Sequence, residues 1–225
     1  MNEDDSTPVT GSGVVAIAAA AGLADVERYY SGKIAMHGAT PVGVDWNGPD
    51  SQELRFVQLL KLCDAATPCS INDLGCGYGQ LYSYLLREQF DCDYLGTDIS
   101  GPMIEAAKEL HAGSGRARFV QGILPERVAD FSLASGIFNV RQQTPDETWR
   151  AWIWRMLELL DASSSRGFAF NCLTKYSDRE RMRVNLYYAD PLQLFDHCKS
   201  KFSRNVALLH DYGLFEFTIL VRKML

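Results

Sequence analysis

Ile71-Asn72-Asp73-Leu74-Gly75-Cys76-Gly77-Tyr78-Gly79 is the stretch from which the rest of the chain can be read. An apolar run rises out of Pro68-Cys69-Ser70, meets an acid at Asp73, breaks into three alternate glycines and enters Gln80-Leu81-Tyr82-Ser83-Tyr84-Leu85-Leu86, whose apolar residues recur at helical spacing. The pattern predicts strand, tight loop, helix. Glycines suit such a loop because a residue without Cβ accepts positive φ and lets a ligand approach the backbone. The free amides of the following helix N-terminus await an acceptor. A glycine loop alone is equally compatible with a tight turn that binds nothing.

A second short apolar run, Cys92-Asp93-Tyr94-Leu95-Gly96-Thr97-Asp98-Ile99-Ser100, again ends in an acid. Asp98 stands nineteen residues beyond Gly79, the interval at which an acid closing the second strand reaches the diol of a ribose bound over the first loop. The glycines run G-x-G-x-G with Asp73 two residues ahead, whereas a dinucleotide fingerprint is G-x-G-x-x-G and must accept a pyrophosphate. A carboxylate beside the loop repels a pyrophosphate and suits a ligand that carries an ammonium group. At these residues the sequence resembles the class I S-adenosylmethionine-dependent methyltransferases.

The resemblance implies a Rossmann-like α/β fold: a seven-stranded sheet, mostly parallel, with an antiparallel C-terminal hairpin and helices on both faces. It implies S-adenosylmethionine as cofactor, held by Asp73, Gly75, Cys76, Gly77 and Gly79 from the first strand and loop, and by Asp98, Ile99 and Met103 from the second. Gly122, Ile123, Ser135 and Gly136 complete the expected set. In most of the family an acid follows the glycine after the third strand and receives the adenine amino group, but here Ile123 stands in its place. Apolar contact then replaces that hydrogen bond.

The chain has 225 residues, with 28 acids against 22 Lys plus Arg and a net charge of -6, so a broad nucleic-acid footprint is not expected. The six cysteines form no C-x-x-C pair and no close Cys/His cluster, which points to neither zinc nor a disulfide framework and fits a reduced, cytoplasmic setting. Residues 1–23 read as a disordered or weakly ordered extension. Its apolar part, 13–24, is short for a membrane span. Residues 24–50 read as an arm or lid, with a short helix over Asp25–Tyr30 and a glycine-rich loop from Ser31 to Gly48. Residues 51–225 form the methyltransferase domain, opened by a helix over Ser51–Leu62 with Ser51 as its N-cap signal.

Beyond Asp98, a helix over Met103–His111 has Pro102 in its first turn. Ala117–Gly122 reads as the third strand, and Asp130–Val140 as the fourth with its exit. Asp146–Leu160 reads as an amphipathic helix whose tryptophans are core. Gly167–Leu173 reads as the fifth strand. Lys175–Tyr188 is long enough for a substrate-facing insertion, Asp190-Pro191 opens another helix, and Val206–Val221 closes the chain as a hairpin. The blocks Gly43-Val44-Asp45-Trp46, Ala134–Val140, Asn171-Cys172-Leu173-Thr174 and Tyr188-Ala189-Asp190-Pro191 look like those of a group of bacterial methyltransferases, a likeness that specifies no acceptor.

The methyl of a sulfonium is already electrophilic, so the protein must hold donor and acceptor in line and exclude water. A weakly acidic hydroxyl also needs a base. His37 and His210 are the catalytic candidates, each competing with the role of an ordinary loop histidine. Tyr30, Trp46, Asn139, Asn171, Tyr176 and Tyr187, with both histidines, are the candidate acceptor-binding residues. No metal site is expected, because amides at Asn139 and Asn171 are poor magnesium ligands. The expected reaction is O-methylation of a hydroxyl or carboxylate on a small molecule. The alternatives are N-methylation of a small metabolite, methylation of RNA or protein, a catalytically silent donor binder and a nicotinamide enzyme. Oligomeric state is not legible.

Overall fold

The structure, a computed structural model, describes residues 16, 18–19, 21–46 and 48–223. Seven strands form one sheet in the order β3-β2-β1-β4-β5-β7-β6. They are β1 Cys69–Leu74, β2 Cys92–Asp98, β3 Ala117–Gln121, β4 Ala129–Ala134, β5 Ser164–Leu173, β6 Asn205–Leu209 and β7 Glu216–Arg222. β1 to β5 are parallel, and β7 runs antiparallel to both β5 and β6. The expected fold is therefore the observed one.

Alternate residues of the central strands feed two cores, as the period of two requires. Phe168, Phe170 and Cys172 of β5, with Phe217, Ile219 and Val221 of β7, pack on one face against the helices α5 (Asp146–Ala162) and α6 (Pro191–Lys201). Ala169 and Leu220 point the other way, into a core closed by α2 (Pro49–Leu60), α3 (Gln80–Arg87) and α4 (Gly101–Leu110). Trp149 and Trp152 of α5 are core residues as read from their spacing, and Trp149 Nε1 also donates to the Phe138 carbonyl at 2.8 Å. Truncating a fully buried Trp of this kind costs about 3–5 kcal/mol.

Three local expectations are corrected. The N-terminal helix, α1, runs from Leu23 to His37 rather than ending near Tyr30. Gly32 does not break it, because Ile34 beyond it is buried with Tyr78 and Met103. The helix stops at Gly38, which donates its N–H to the Ile34 carbonyl and then, at φ 66°, turns the chain away. α2 begins at Pro49, two residues before the expected Ser51 cap; Pro occupies the first turn, where its missing N–H costs nothing, and Ser51 Oγ donates to the Gly48 carbonyl. The fifth strand starts at Ser164, three residues early.

Most of the segment 1–23 lies outside the described residues. Within it, Ala18 and Ala21 are buried against the α5 side of the core, and Thr144 Oγ1 donates to the Ala21 carbonyl at 2.9 Å. Among the described residues no helix is long and apolar enough to cross a membrane, and no group of three or more His, Cys, Asp and Glu side chains could hold a metal ion.

Candidate active site

The sheet order reverses between β1 and β4, and a crevice opens beyond their carboxyl ends, where open α/β sheets bind ligands. The loop leaving β1 is tied down by its backbone. Gly75 and Cys76 both donate to the Thr97 carbonyl, at 2.8 and 3.0 Å. Gly77 donates to Asp98 Oδ2 at 2.9 Å, and Ser100 N donates to Asp98 Oδ1 at 2.8 Å. Gly75 has φ 74°, and a Cβ there would stand 2.2 Å from Ile137 Cγ2, so conformation and space both demand glycine.

Asp73, at the end of β1, is buried and accepts the Tyr94 hydroxyl at 2.5 Å. Burial lifts its carboxyl to about 7, the Tyr94 hydrogen bond opposing the shift and the nearby Asp98 charge adding to it. Asp98 is also raised by burial, and the backbone N–H groups of Ser100 and Gly77 pull it back. Two carboxylates that share one crevice and resist ionisation await a cation or a donor.

Asp73, Gly75, Cys76, Gly77, Asp98 and Ile99 line one cavity of about 120 Å³, and Met103, Gly122, Ile123, Ser135 and Gly136 line it with them. Gly79 does not. It starts α3 in a left-handed conformation, and the rings of His111 and Phe119 cover it, with His111 Nε2 3.0 Å from its carbonyl oxygen. Sequence reasoning missed Val44, Phe56, Leu81, Trp152 and Met156 in this wall. Phe56, Leu81, Trp152 and Met156 have the spacing of core residues, which they also are, while half-buried Val44 lies in the turn Pro41–Val44 within the segment read as a loop.

A second cavity, about 490 Å³, adjoins the first, and Tyr30, Val44 and Trp46 line both. Trp46 is seated closely: a Cβ on Gly136 would meet its Cη2 and Cζ2 at 2.6 and 2.7 Å. The Arg55 guanidinium lies over the same indole, 3.9 Å from a ring centroid. Arg55 and Glu216 are 7% and 1% exposed and form a fork, Nε to Oε2 at 2.8 Å and Nη2 to Oε1 at 2.6 Å. Arg55 Nη1 also donates to the Ser51 carbonyl. Both residues line the second cavity and neither was anticipated, although an acid between Phe215 and Phe217 in an apolar strand signals a buried partner.

Of the remaining candidates, Asn139 lines the second cavity. Asn171 lines neither: it is fully buried, with Oδ1 accepting the Gly136 N–H at 2.6 Å, so it fixes the loop after β4. Tyr187 is half-buried outside both cavities, its N–H donating to the Asn139 carbonyl at 2.8 Å. Tyr176 and His210 are exposed and lie against each other, ring centroids 6.0 Å apart. His37 is exposed at the C-terminal end of α1. Neither histidine lines a cavity, because α1 and the β6–β7 hairpin present them to solvent. The insertion after β5 does reach the second cavity, through Glu180, Arg181, Arg183 and Tyr188 rather than through Tyr176 or Tyr187.

This sheet order, with an acid closing each of β1 and β2 around a glycine loop, defines a class I methyltransferase fold. A family described as "Methyltransferase domain" matches residues 71–162. The chain is 55% identical over 164 residues to "Putative methyltransferase Rv1506c" of Mycobacterium tuberculosis (strain ATCC 25618 / H37Rv), a match that covers 73% of this chain and 99% of that one. The chain belongs to the class I S-adenosylmethionine-dependent methyltransferases.

Solved structures share the fold at low identity. A complex described as DhpI with SAH superposes with TM-score 0.59 at 15% identity, over 94% of this chain and 97% of that one. Magnesium protoporphyrin IX methyltransferase of Synechocystis PCC 6803, with bound SAH, gives 0.57 at 16% identity, over 77% and 83%. Human N-acetylserotonin methyltransferase in complex with SAM gives 0.54 at 18% identity, over 76% and 52%.

Proposed function

We propose that the first cavity is the S-adenosylmethionine site and the second the site of a small-molecule acceptor that is methylated on oxygen. The residues of the first cavity fit the donor. Gly75 and Gly77 bring backbone to the cavity wall, and Asp73 is a buried carboxylate that an ammonium group would relieve of its desolvation cost. Asp98 offers its carboxylate to a ribose edge, while Ile99, Met103 and Ile123 supply apolar contact for an adenine. When bound, S-adenosylmethionine supplies an electrophilic methyl group on a sulfonium. Trp46 and Tyr30, shared by both cavities, would exclude water from the meeting point and hold the acceptor in line.

The observation that carries this reading is the second cavity next to the donor cavity, on a scale suited to a metabolite rather than a polymer. The magnesium protoporphyrin IX and N-acetylserotonin enzymes named above support a small acceptor by their names. The free state of all six cysteines agrees with a cytoplasmic setting. The test is methyl transfer from tritiated donor to a protein-free metabolite extract, compared with total RNA and with denatured protein. Label confined to small molecules is the expected result. Label retained on RNA or protein contradicts it.

A further inference from the structure

The second cavity is furnished with hydrogen-bond donors that have no partners of their own. Asn139 is buried, and its Oδ1 already accepts the Leu173 N–H at 2.9 Å, which leaves Nδ2 as the free end of the amide. That nitrogen lies 3.8 Å from the point a Cβ on Gly136 would occupy, at the border with the first cavity. Among the described residues neither Asn139 Nδ2 nor the Tyr30 hydroxyl meets a hydrogen-bond partner, and Tyr30 lines both cavities. Burial, aided by the negative charge of Asp45, pushes the Tyr30 phenol up, so it stays protonated and donates. The Tyr188 hydroxyl accepts from the Arg183 N–H and keeps its own proton free. The Arg183 guanidinium also lines the cavity, is exposed, and its charge reaches Asp45.

The proton acceptors are mostly committed. Asp45 takes the Tyr29 hydroxyl at 2.7 Å and Lys33 Nζ at 2.8 Å, and Glu216 takes both arms of the Arg55 fork. Glu180 is uncommitted, but it is exposed at the rim. No imidazole lines the cavity. A hydroxyl acceptor must lose a proton to such a group, whereas a carboxylic acid, with a reference pKa near 4, is already ionised at neutral pH.

We propose that the acceptor is an apolar carboxylic acid, methylated on its carboxylate, with Asn139 Nδ2 and the Tyr30 hydroxyl directing the anion toward the donor cavity. This rests on the methyltransferase reading of the same site. A carboxylate oxygen lone pair forms the new O–C bond as the S–CH3 bond breaks and its electron pair stays on sulfur. The charges cancel, the products are a methyl ester and S-adenosylhomocysteine, and no proton is released. The rest of the acid is accommodated by Val140, Leu173, Met182, Leu186 and Phe215.

Two readouts test this. By calorimetry on protein saturated with S-adenosylhomocysteine, phenylacetate and octanoate are expected to bind and their amides are not. Asn139→Ala and Tyr30→Phe should each weaken the acids roughly ten- to hundred-fold, the range of a hydrogen bond to a charged group. With tritiated methyl donor and a metabolite extract, the labelled product should give up its label as volatile methanol in mild alkali. Amides that bind as tightly as acids, label that survives alkali, or no transfer by protein that binds S-adenosylhomocysteine would each overturn the proposal. Failure to bind S-adenosylhomocysteine at all would remove the methyltransferase reading and this one together.

Discussion

Asp98 Oδ2 accepts the Gly77 N–H at 2.9 Å, so the acid that closes β2 is fastened to the glycine loop that leaves β1. One side chain thereby shapes the loop while its carboxylate lines the donor cavity. Asp98→Ala is expected to weaken S-adenosylhomocysteine by roughly 1–3 kcal/mol, the cost of stranding polar groups that lose their partner. Unchanged affinity by calorimetry would contradict the ribose assignment.

Asp73 makes the donor site sensitive to pH. Its folded value, about 7, lies above the unfolded reference of about 3.9, so the stability it contributes is present below pH 4 and is lost as the pH rises through 7. Asp73→Asn should therefore stabilise the ligand-free protein at pH 8 by up to roughly 4 kcal/mol, and by less at pH 5, in thermal melts. A bound ammonium reverses the sign by favouring the ionised carboxylate. Wild-type affinity for S-adenosylhomocysteine should fall about tenfold between pH 8 and pH 6, and Asp73→Asn should flatten that dependence.

Gly136 has φ 79°, and any Cβ there collides with the Trp46 indole. Gly136→Ala must strain the backbone and displace the ring at once, at a cost of roughly 1–3 kcal/mol. A lowered melting temperature together with a red-shifted Trp46 contribution to the fluorescence, isolated against Trp46→Phe, is the expected result. A folded variant with unchanged emission would show that the indole is not held there.

The Arg55–Glu216 fork spans α2 and β7 with almost no exposure. Arg55→Met leaves Glu216 buried and unpaired, and should cost about 3–5 kcal/mol in denaturant unfolding. The double variant Arg55→Met, Glu216→Leu should recover most of that loss, because a buried ion pair contributes little beyond the apolar residues that replace it. If the double variant is as unstable as the single one, the cost lies in the lost guanidinium stack on Trp46.

His37→Ala and His210→Ala, each altering an exposed ring, should keep the wild-type affinity for S-adenosylhomocysteine within about twofold and leave methyl transfer unimpaired, as exposed substitutions usually cost under about 0.5 kcal/mol. A pH-dependent loss of transfer in either variant would restore that histidine as a base.

The donor side was legible because it is written locally. An acid, a glycine loop and a second acid at a fixed interval are constraints of backbone geometry, and eleven of the twelve expected donor residues line one cavity. Gly79 stands apart from them: a glycine that starts a helix and one that faces a ligand look alike in sequence, and here His111 and Phe119 pack over it. The acceptor side was less legible because it is assembled from afar. Arg55 and Glu216 are 161 positions apart, and the distance between them is not encoded by any local spacing. An amide at a strand end, as at Asn171, is chemically ambiguous in sequence, and in the structure its Oδ1 accepts the Gly136 N–H of the loop after β4. His37 and His210 are candidates by chemistry alone, and nothing in the sequence says which way α1 and the last hairpin turn them.

Titration calorimetry of the unmodified protein with S-adenosylhomocysteine and, separately, with NADH is the most direct measurement. Micromolar binding of the first and no heat from the second is the outcome this account predicts. Binding of NADH, or silence with S-adenosylhomocysteine, would contradict it.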